Sequence, residues 1–265
     1  MEISNLKKLK PKKLIVFDLD GTLAATKAKM DREMSKLVER LLTVKKVAII
    51  GGGKYGIFQH QFLNEFQAPK QLLHHLFLFP VTSTTFYRFN HGWKKVYALD
   101  LSAKEKTKIK KAFARVLKQI NYQPPKKIYG KIIEDRGSQI TWSAVGQDVV
   151  EILGRQKGVA VKEKWKKDNT PLKLKIAKLL GKYLPEFEIH AAGYTSIDIT
   201  KKGIDKAYGL RQIEKHLHVK IKDMLFIGDA IFPGGNDYAV VKTGVDYMAV
   251  KGPQETKKII RSLLK

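Results

Sequence analysis

Residues 14–24 read LIVFDLDGTLA, and this stretch decides how the rest of the chain is read. Leu14, Ile15, Val16 and Phe17 run straight into Asp18, and Asp20 follows two positions later. An unbroken apolar run of this length predicts a strand buried on both faces, as in a parallel sheet. In an extended segment residues i and i+2 point to the same side, so the two carboxylates converge. Desolvation and mutual repulsion both oppose that arrangement. A cation must answer them.

Similar runs recur at 47–50 (VAII), 76–79 (LFLF), 224–228 (MLFIG) and 247–250 (YMAV). Helical stripes of 3.6-residue period lie between them, at 30–42 and 206–217, and another closes the chain at 255–264. Alternating strand and helix predicts an α/β fold, a Rossmann-like parallel sheet covered on both faces, with ligands beyond the carboxyl ends of its strands. Three polar segments follow strands directly: Asp18 with Asp20, the triplet Gly51-Gly52-Gly53, and Gly228-Asp229.

The middle of the chain has another rhythm. A hairpin turns at 90–92, and Ser102 with Glu105 forms a capping box that opens a helix towards Ile120. Strand-like segments follow at 127–135 and 138–145. Thr170-Pro171 signals a second helix start, and 188–200 reads as two further strands. Residues 84–199 are therefore expected to form an α+β cap inserted into a core made of 1–83 and 200–265.

Composition narrows the function classes. The chain of 265 residues has no cysteine, which excludes disulfides and thiolate chemistry and suits a cytoplasmic protein. The start MEISNLKKLKPKK has no apolar leader core, and no run nears the roughly 18 residues of a membrane span. The net charge of +26 raises nucleic-acid binding. Only 8 of the 51 basic residues are arginine, however, and the lysines are spread along helices. Arginine is the better bidentate phosphate reader, so the charge is read as a solvated surface that attracts small anions. The histidines 60, 74, 75 and 190 and the tryptophans 93, 142 and 165 are expected to be packing or surface residues.

Asp18, Asp20, Gly21 and Thr22 together fit phosphoryl transfer. One carboxylate attacks phosphorus and carries the group covalently; the other moves the proton of the leaving or entering oxygen. A hard cation, Mg²⁺, would relieve the carboxylate repulsion. In GDAIFPGGND, residues 228–237, Asp229 supplies a second charged ligand. The loop through Pro233 then returns Asn236 and Asp237 towards it. The site also needs a fixed positive side chain. Lys206 is singled out by its position, at the start of the helix before the MLFIGD strand, with Lys201 and Lys202 as its rivals.

These motifs resemble the haloacid dehalogenase superfamily, in particular its large-cap branch that includes eukaryotic-type phosphomannomutases. FDLDGTL resembles the nucleophile motif, GIDKAYGL the lysine motif GWDK, and GDAIFPGGND the metal loop GDxxxPGGND. In the insertion, EDRGSQITWSAVGQ is similar to ExRxGMxNxSPxGR, and TSIDIT to ISFDVFP. The resemblance implies Asp18 as nucleophile, Asp20 as acid and base, and Lys206 as the balancing charge. It implies Mg²⁺ held by Asp18, the Asp20 carbonyl and Asp229, with Asn236 and Asp237 supporting. It also implies that Arg136, Ser196 and Asp198 grip a sugar phosphate; Thr22 and the backbone N–H groups of Gly51–Gly53 are the candidates to meet the phosphoryl group.

The departures are specific. Gly51-Gly52-Gly53-Lys54 stands where the family has GGSD, which removes a phosphate-binding hydroxyl. Gln147 replaces the final arginine of the cap motif, Thr141 its asparagine, and Val81-Thr82-Ser83 an ENG turn. Lys27 stands in for an arginine after the nucleophile motif. Losing a bidentate arginine weakens a grip on a second phosphate, so the departures point to a Mg²⁺-dependent phosphatase of sugar phosphates or similar small metabolites. The alternatives are a hexose phosphate mutase and a non-catalytic anion-binding protein. Either a monomer or a homodimer is compatible with the sequence.

Overall fold

A computed structural model describes residues 9–265. Most of the amino-terminal stretch read above for an apolar leader lies outside them. The chain divides into two compact units, one of 1–98 with 204–265 and one of 99–203.

The first unit opens with β1 (Leu14–Asp18), α1 (Arg32–Leu42), β2 (Lys46–Ile50), α2 (Tyr55–Gln61), β3 (Leu76–Phe79), β4 (Thr85–Phe89) and β5 (Trp93–Ala98). The second unit carries α3 (Ala103–Gln119), β6 (Ile133–Asp135), β7 (Gln139–Ser143), α4 (Val149–Tyr183), β8 (Phe187–His190) and β9 (Ser196–Lys201). The chain then re-enters the first unit through α5 (Lys206–Leu217), β10 (Met224–Gly228), β11 (Asp246–Ala249) and α6 (Pro253–Leu263).

The core sheet has the order β11-β10-β1-β2-β3-β4-β5. Its first five strands are parallel, and β4 and β5 add an antiparallel edge. The chain passes from β1 to β2 and β3 on one side and later returns to β10 and β11 on the other, so the strand order reverses at β1. Asp18, the last residue of β1, therefore sits at the switch point where such sheets open a crevice. Every residue of β1 and β10 is buried, as their unbroken apolar runs require.

Two sequence expectations are corrected. The hairpin at 85–98 belongs to the core sheet, not to the insertion, so the boundaries fall near 99 and 204 rather than 84 and 200. The reason is aromatic packing: Phe86 on β4 stacks on Phe79 of β3, with ring centroids 4.4 Å apart. Pro171 does not start a helix but lies within α4. Its missing N–H removes one backbone bond, and the same stretch carries side-chain donors to the helix carbonyls, from Asn169 to Trp165 O (3.0 Å) and from Thr170 to Lys166 O (2.6 Å).

The second unit is a four-stranded antiparallel sheet, β6-β7-β9-β8, with two unlike faces. Ile140, Trp142, Ile197 and Ile199 point to one side and form a core with residues of α3 and α4. Trp142 is fully buried among Phe113, Tyr122 and Trp165. The opposite face carries Gln139, Thr141, Ser143, Ser196, Asp198 and Thr200, which pair across the β7–β9 register.

Back in the core unit, Val81, Thr82 and Ser83 are all left-handed, with φ of 52°, 54° and 66°. Residues with a Cβ pay about 1–3 kcal/mol each there, and two of these are β-branched. The turn is held by Val81 N–H on Gly53 O and Thr82 N–H on Gly51 O, both 2.9 Å, so it clasps the glycine triplet. Ser83 Oγ is buried without a partner and fills the space beside Gly209 in α5, where an added Cβ would lie 2.3 Å from it. Gly209→Ala should therefore destabilise the protein by about 2 kcal/mol through overpacking. Ser83→Gly should stabilise it by about 1 kcal/mol and absorb most of the Gly209→Ala penalty. Urea midpoints of the two single variants and the double variant measure the coupling; additive changes would contradict this packing account.

Candidate active site

The site is built at the carboxyl ends of β1, β2 and β10. Asp18 ends β1, and Gly21 follows with φ +87°. A Cβ at Gly21 would come within 2.3 Å of Asp229 Oδ2, so glycine there lets the loop after β1 close against the loop after β10. Asp229 follows Gly228, and 230–236 turn the chain back so that Asp237 is buried and its Oδ2 accepts from Ala230 N–H at 3.1 Å. Lys206 opens α5 just after its N-cap Asp205.

These elements put Lys206 Nζ between two carboxylates. It donates to Asp18 Oδ1 and to Asp237 Oδ1, with all three side chains buried. Oxygens of Asp18, Asp229 and Asp237 lie within 4.8 Å of one another. Burial pushes the Asp18 carboxyl well above its usual range; Lys206 pulls it back, and the Asp237 and Asp229 charges add to the rise. Burial alone would lower the Lys206 pKa, but Asp18 and Asp237 outweigh it and hold the ammonium charged. Asp229 is likewise raised, by burial first and Asp237 second. With all three carboxylates ionised, as a bound cation would favour, one ammonium leaves a formal charge of −2 in this pocket. An all-oxygen donor set with that charge fits a hard divalent cation such as Mg²⁺.

Asp20 is separate from that cluster. Its Oδ1 accepts from Lys27 N–H at 2.8 Å and Gln61 Nε2 at 3.3 Å, and its Oδ2 accepts from Lys27 Nζ at 2.9 Å. Burial would raise its pKa, yet Lys27 and Gln61 bring it below the usual value, so Asp20 is held ionised. Thr22 is fully buried, with Oγ1 unpartnered. Gly51 is tied by its N–H to Phe79 O at 3.2 Å, and Gly53 lies against Ile57. Asn236 is exposed, whereas Asp237 is buried.

The remaining expected residues lie in the second unit. Arg136 Nε donates to Glu134 at 2.8 Å. Gln147 Nε2 donates to the carbonyls of Ile132 (3.3 Å) and Thr141 (3.2 Å), and so braces backbone where the family has an arginine. Ser196 and Asp198 stand on the polar face of β9. Sequence reading missed the contacts of Lys206 with Asp237 and of Gln61 with Asp20. Neither has a local signal, since 31 and 41 residues separate the partners.

Lys206→Met would leave Asp18 and Asp237 buried with no counter-charge. We expect it to lower stability by about 3–5 kcal/mol in metal-free buffer, read by urea unfolding, with millimolar MgCl₂ recovering part of the loss. In the unsubstituted protein MgCl₂ should raise the melting temperature, and Asp229→Ala should abolish that shift. An equal shift in Asp229→Ala would remove Asp229 from the cation site.

A profile of the eukaryotic phosphomannomutases matches residues 34–265. The phosphomannomutase of Encephalitozoon cuniculi is 28% identical over 261 residues, covering 96% of this chain and 94% of that protein. That of Saccharomyces cerevisiae is 26% identical over 260 residues, covering 97% and 96%. Among solved structures, an N-terminally truncated, IMP-bound Plasmodium falciparum IMP-nucleotidase superposes with a TM-score of 0.69 at 15% identity, covering 98% of this chain and 71% of that one. An Aspergillus fumigatus trehalose-6-phosphate phosphatase superposes at 0.59 and 14%, covering 100% and 97%. At such identities the structural matches speak for the fold alone. With the family profile spanning most of its length, the chain belongs to the eukaryotic phosphomannomutase family.

Proposed function

We propose that the protein is a Mg²⁺-dependent hexose phosphate mutase that works through an aspartyl-phosphate on Asp18. The observation that carries the reading is the buried Lys206 bridging Asp18 and Asp237, with Asp229 alongside. A structural ion pair does not need a third carboxylate at the same point; a phosphoryl-transfer site does. End-to-end similarity to phosphomannomutases moves the mutase ahead of the phosphatase expected from the sequence.

Asp18 attacks phosphorus while the bond to the sugar oxygen breaks, and Asp20 returns to that oxygen the proton it took up in the preceding phosphoryl transfer. In the second half Asp20 takes the proton of the incoming hydroxyl, in the ionised state in which Lys27 holds it. Lys206 stays charged throughout and keeps the Asp18 oxygen aimed at phosphorus. Mg²⁺, bound by Asp18, the Asp20 carbonyl and Asp229 with Asn236 and Asp237 in support, would neutralise phosphoryl oxygens. Thr22 and the amides of the glycine turn other than Gly51, whose N–H is committed to Phe79 O, meet those oxygens, and the cap residues Arg136, Ser196 and Asp198 hold the far end of a sugar phosphate. A cytoplasmic setting is supported by the cysteine-free composition.

A phosphatase of sugar monophosphates is the second reading. Gln147 favours it, because its amide is spent on backbone carbonyls and offers no fork to a second phosphate. The assay supplies hexose 1-phosphate with catalytic hexose 1,6-bisphosphate and Mg²⁺, and follows hexose 6-phosphate and inorganic phosphate together. Hexose 6-phosphate without free phosphate is expected; free phosphate as the main product would select the phosphatase. Asp18→Asn should reduce turnover at least about 10³-fold. If the unsubstituted protein gave neither product above that variant, the anion-binding reading would stand.

A further inference from the structure

The polar face of the cap sheet carries more than the family pattern provides. Gln139 stands where ExRxGMxNxSPxGR has methionine, and Thr200 where ISFDVFP has phenylalanine. The β7–β9 register sets these two residues directly opposite one another, next to the facing pair Thr141 and Asp198. An apolar rung has thus become a polar rung, extending the polar face by one step along both strands.

The two new side chains do not satisfy each other. Gln139 Nε2 donates to Thr141 Oγ1 at 2.8 Å, while Gln139 Oε1, Thr200 Oγ1 and Asp198 Oδ1 are buried with no hydrogen-bond partner. Gln139 is 0% exposed, Thr200 1% and Asp198 9%. The hydrogen bonds of neighbouring donors go elsewhere: Gln147 to two backbone carbonyls, Arg136 to Glu134, and the buried Lys173 ammonium, whose charge acts on Asp198 without a hydrogen bond to it, to Gly193 O at 2.8 Å. The imbalance leans one way: Gln139 Oε1 and Asp198 Oδ1 are acceptor oxygens, and the Thr200 hydroxyl can accept or donate. Buried acceptors of this kind normally have donors, and a polyol supplies them through its hydroxyls.

We infer that Gln139, Thr200 and Asp198 form a hydroxyl-reading subsite of the cap, in which Gln139 and Thr200 are specificity-determining residues for the sugar ring. The inference rests on the sugar phosphate reading above but not on whether the outcome is isomerisation or hydrolysis.

Calorimetric titration of the full chain in MgCl₂ tests it without requiring turnover. The probes are hexose 6-phosphate, a set of singly deoxygenated hexose 6-phosphates, and phenyl phosphate, which has no hydroxyl. At least one deoxy analogue should bind about tenfold more weakly than the parent sugar, the loss of one buried hydrogen bond. That penalty should vanish in Thr200→Val or Gln139→Met and persist in Thr200→Ser, with melting temperatures checking that each variant folds. The wild-type ligand series does not depend on any variant folding. Equal binding of hexose 6-phosphate and phenyl phosphate would overturn the inference. So would a deoxy penalty unchanged in both Thr200→Val and Gln139→Met, which would leave these acceptors to ordered water. Product formation in the mutase assay without hydroxyl dependence would remove the subsite and leave the function standing. Hydroxyl-dependent binding without product would do the reverse, and no binding of any hexose phosphate would overturn both.

Discussion

The buried ammonium of Lys206 is the interaction on which the site depends. It touches Asp18 and Asp237, which arrive from opposite halves of the core sequence, and is the positive charge that faces both of these buried side chains. Because one positive charge cannot balance three ionised carboxylates, the pocket is suited to a divalent cation. Placing Lys206 at the start of α5 and Asp18 at the end of β1 uses the switch point of the sheet. There the loops after β1, β2 and β10 meet by topology alone.

Around that pair the chain departs from its family in ways the fold absorbs differently. The glycine triplet after β2 has lost a hydroxyl, and a strained left-handed turn at 81–83 clasps its backbone. Such strain persists only where surrounding contacts over-determine the conformation, as the two hydrogen bonds to Gly51 and Gly53 do here. In the cap, Gln147 has turned from a charge-bearing position into a brace for two backbone carbonyls. The polar face of the same sheet has gained Gln139 and Thr200. The substitutions therefore do not simply erode a grip; they put neutral polar side chains where the family has a cationic one and an apolar rung.

Much of the fold was legible because its signals are local. The five apolar runs became five parallel strands, and the capping box at Ser102 and Glu105 opens α3 as expected. The hairpin at 85–98 was misplaced because a hairpin signal says which strands pair with each other, not which sheet they join. That was settled by Phe86 stacking on Phe79. Pro171 misled for a related reason: the proline rule describes an isolated helix, whereas packing of Trp165, Ile176 and Leu180 in the cap core carries α4 through.

The sequence by itself determined the chemistry available. It showed which carboxylates end strands, which lysine starts a helix, which family motifs are kept and which positions have changed. Periodicity and strand-end position are properties of neighbouring residues, so they can be read along the chain. Tertiary structure alone decided the pairings: Lys206 with Asp237 as well as Asp18, Lys27 and Gln61 on Asp20, and Gln139 opposite Thr200 with its oxygen unsatisfied. Whether a buried polar atom finds a partner depends on groups tens of residues away. That balance of desolvation against contact exists only once the chain is folded.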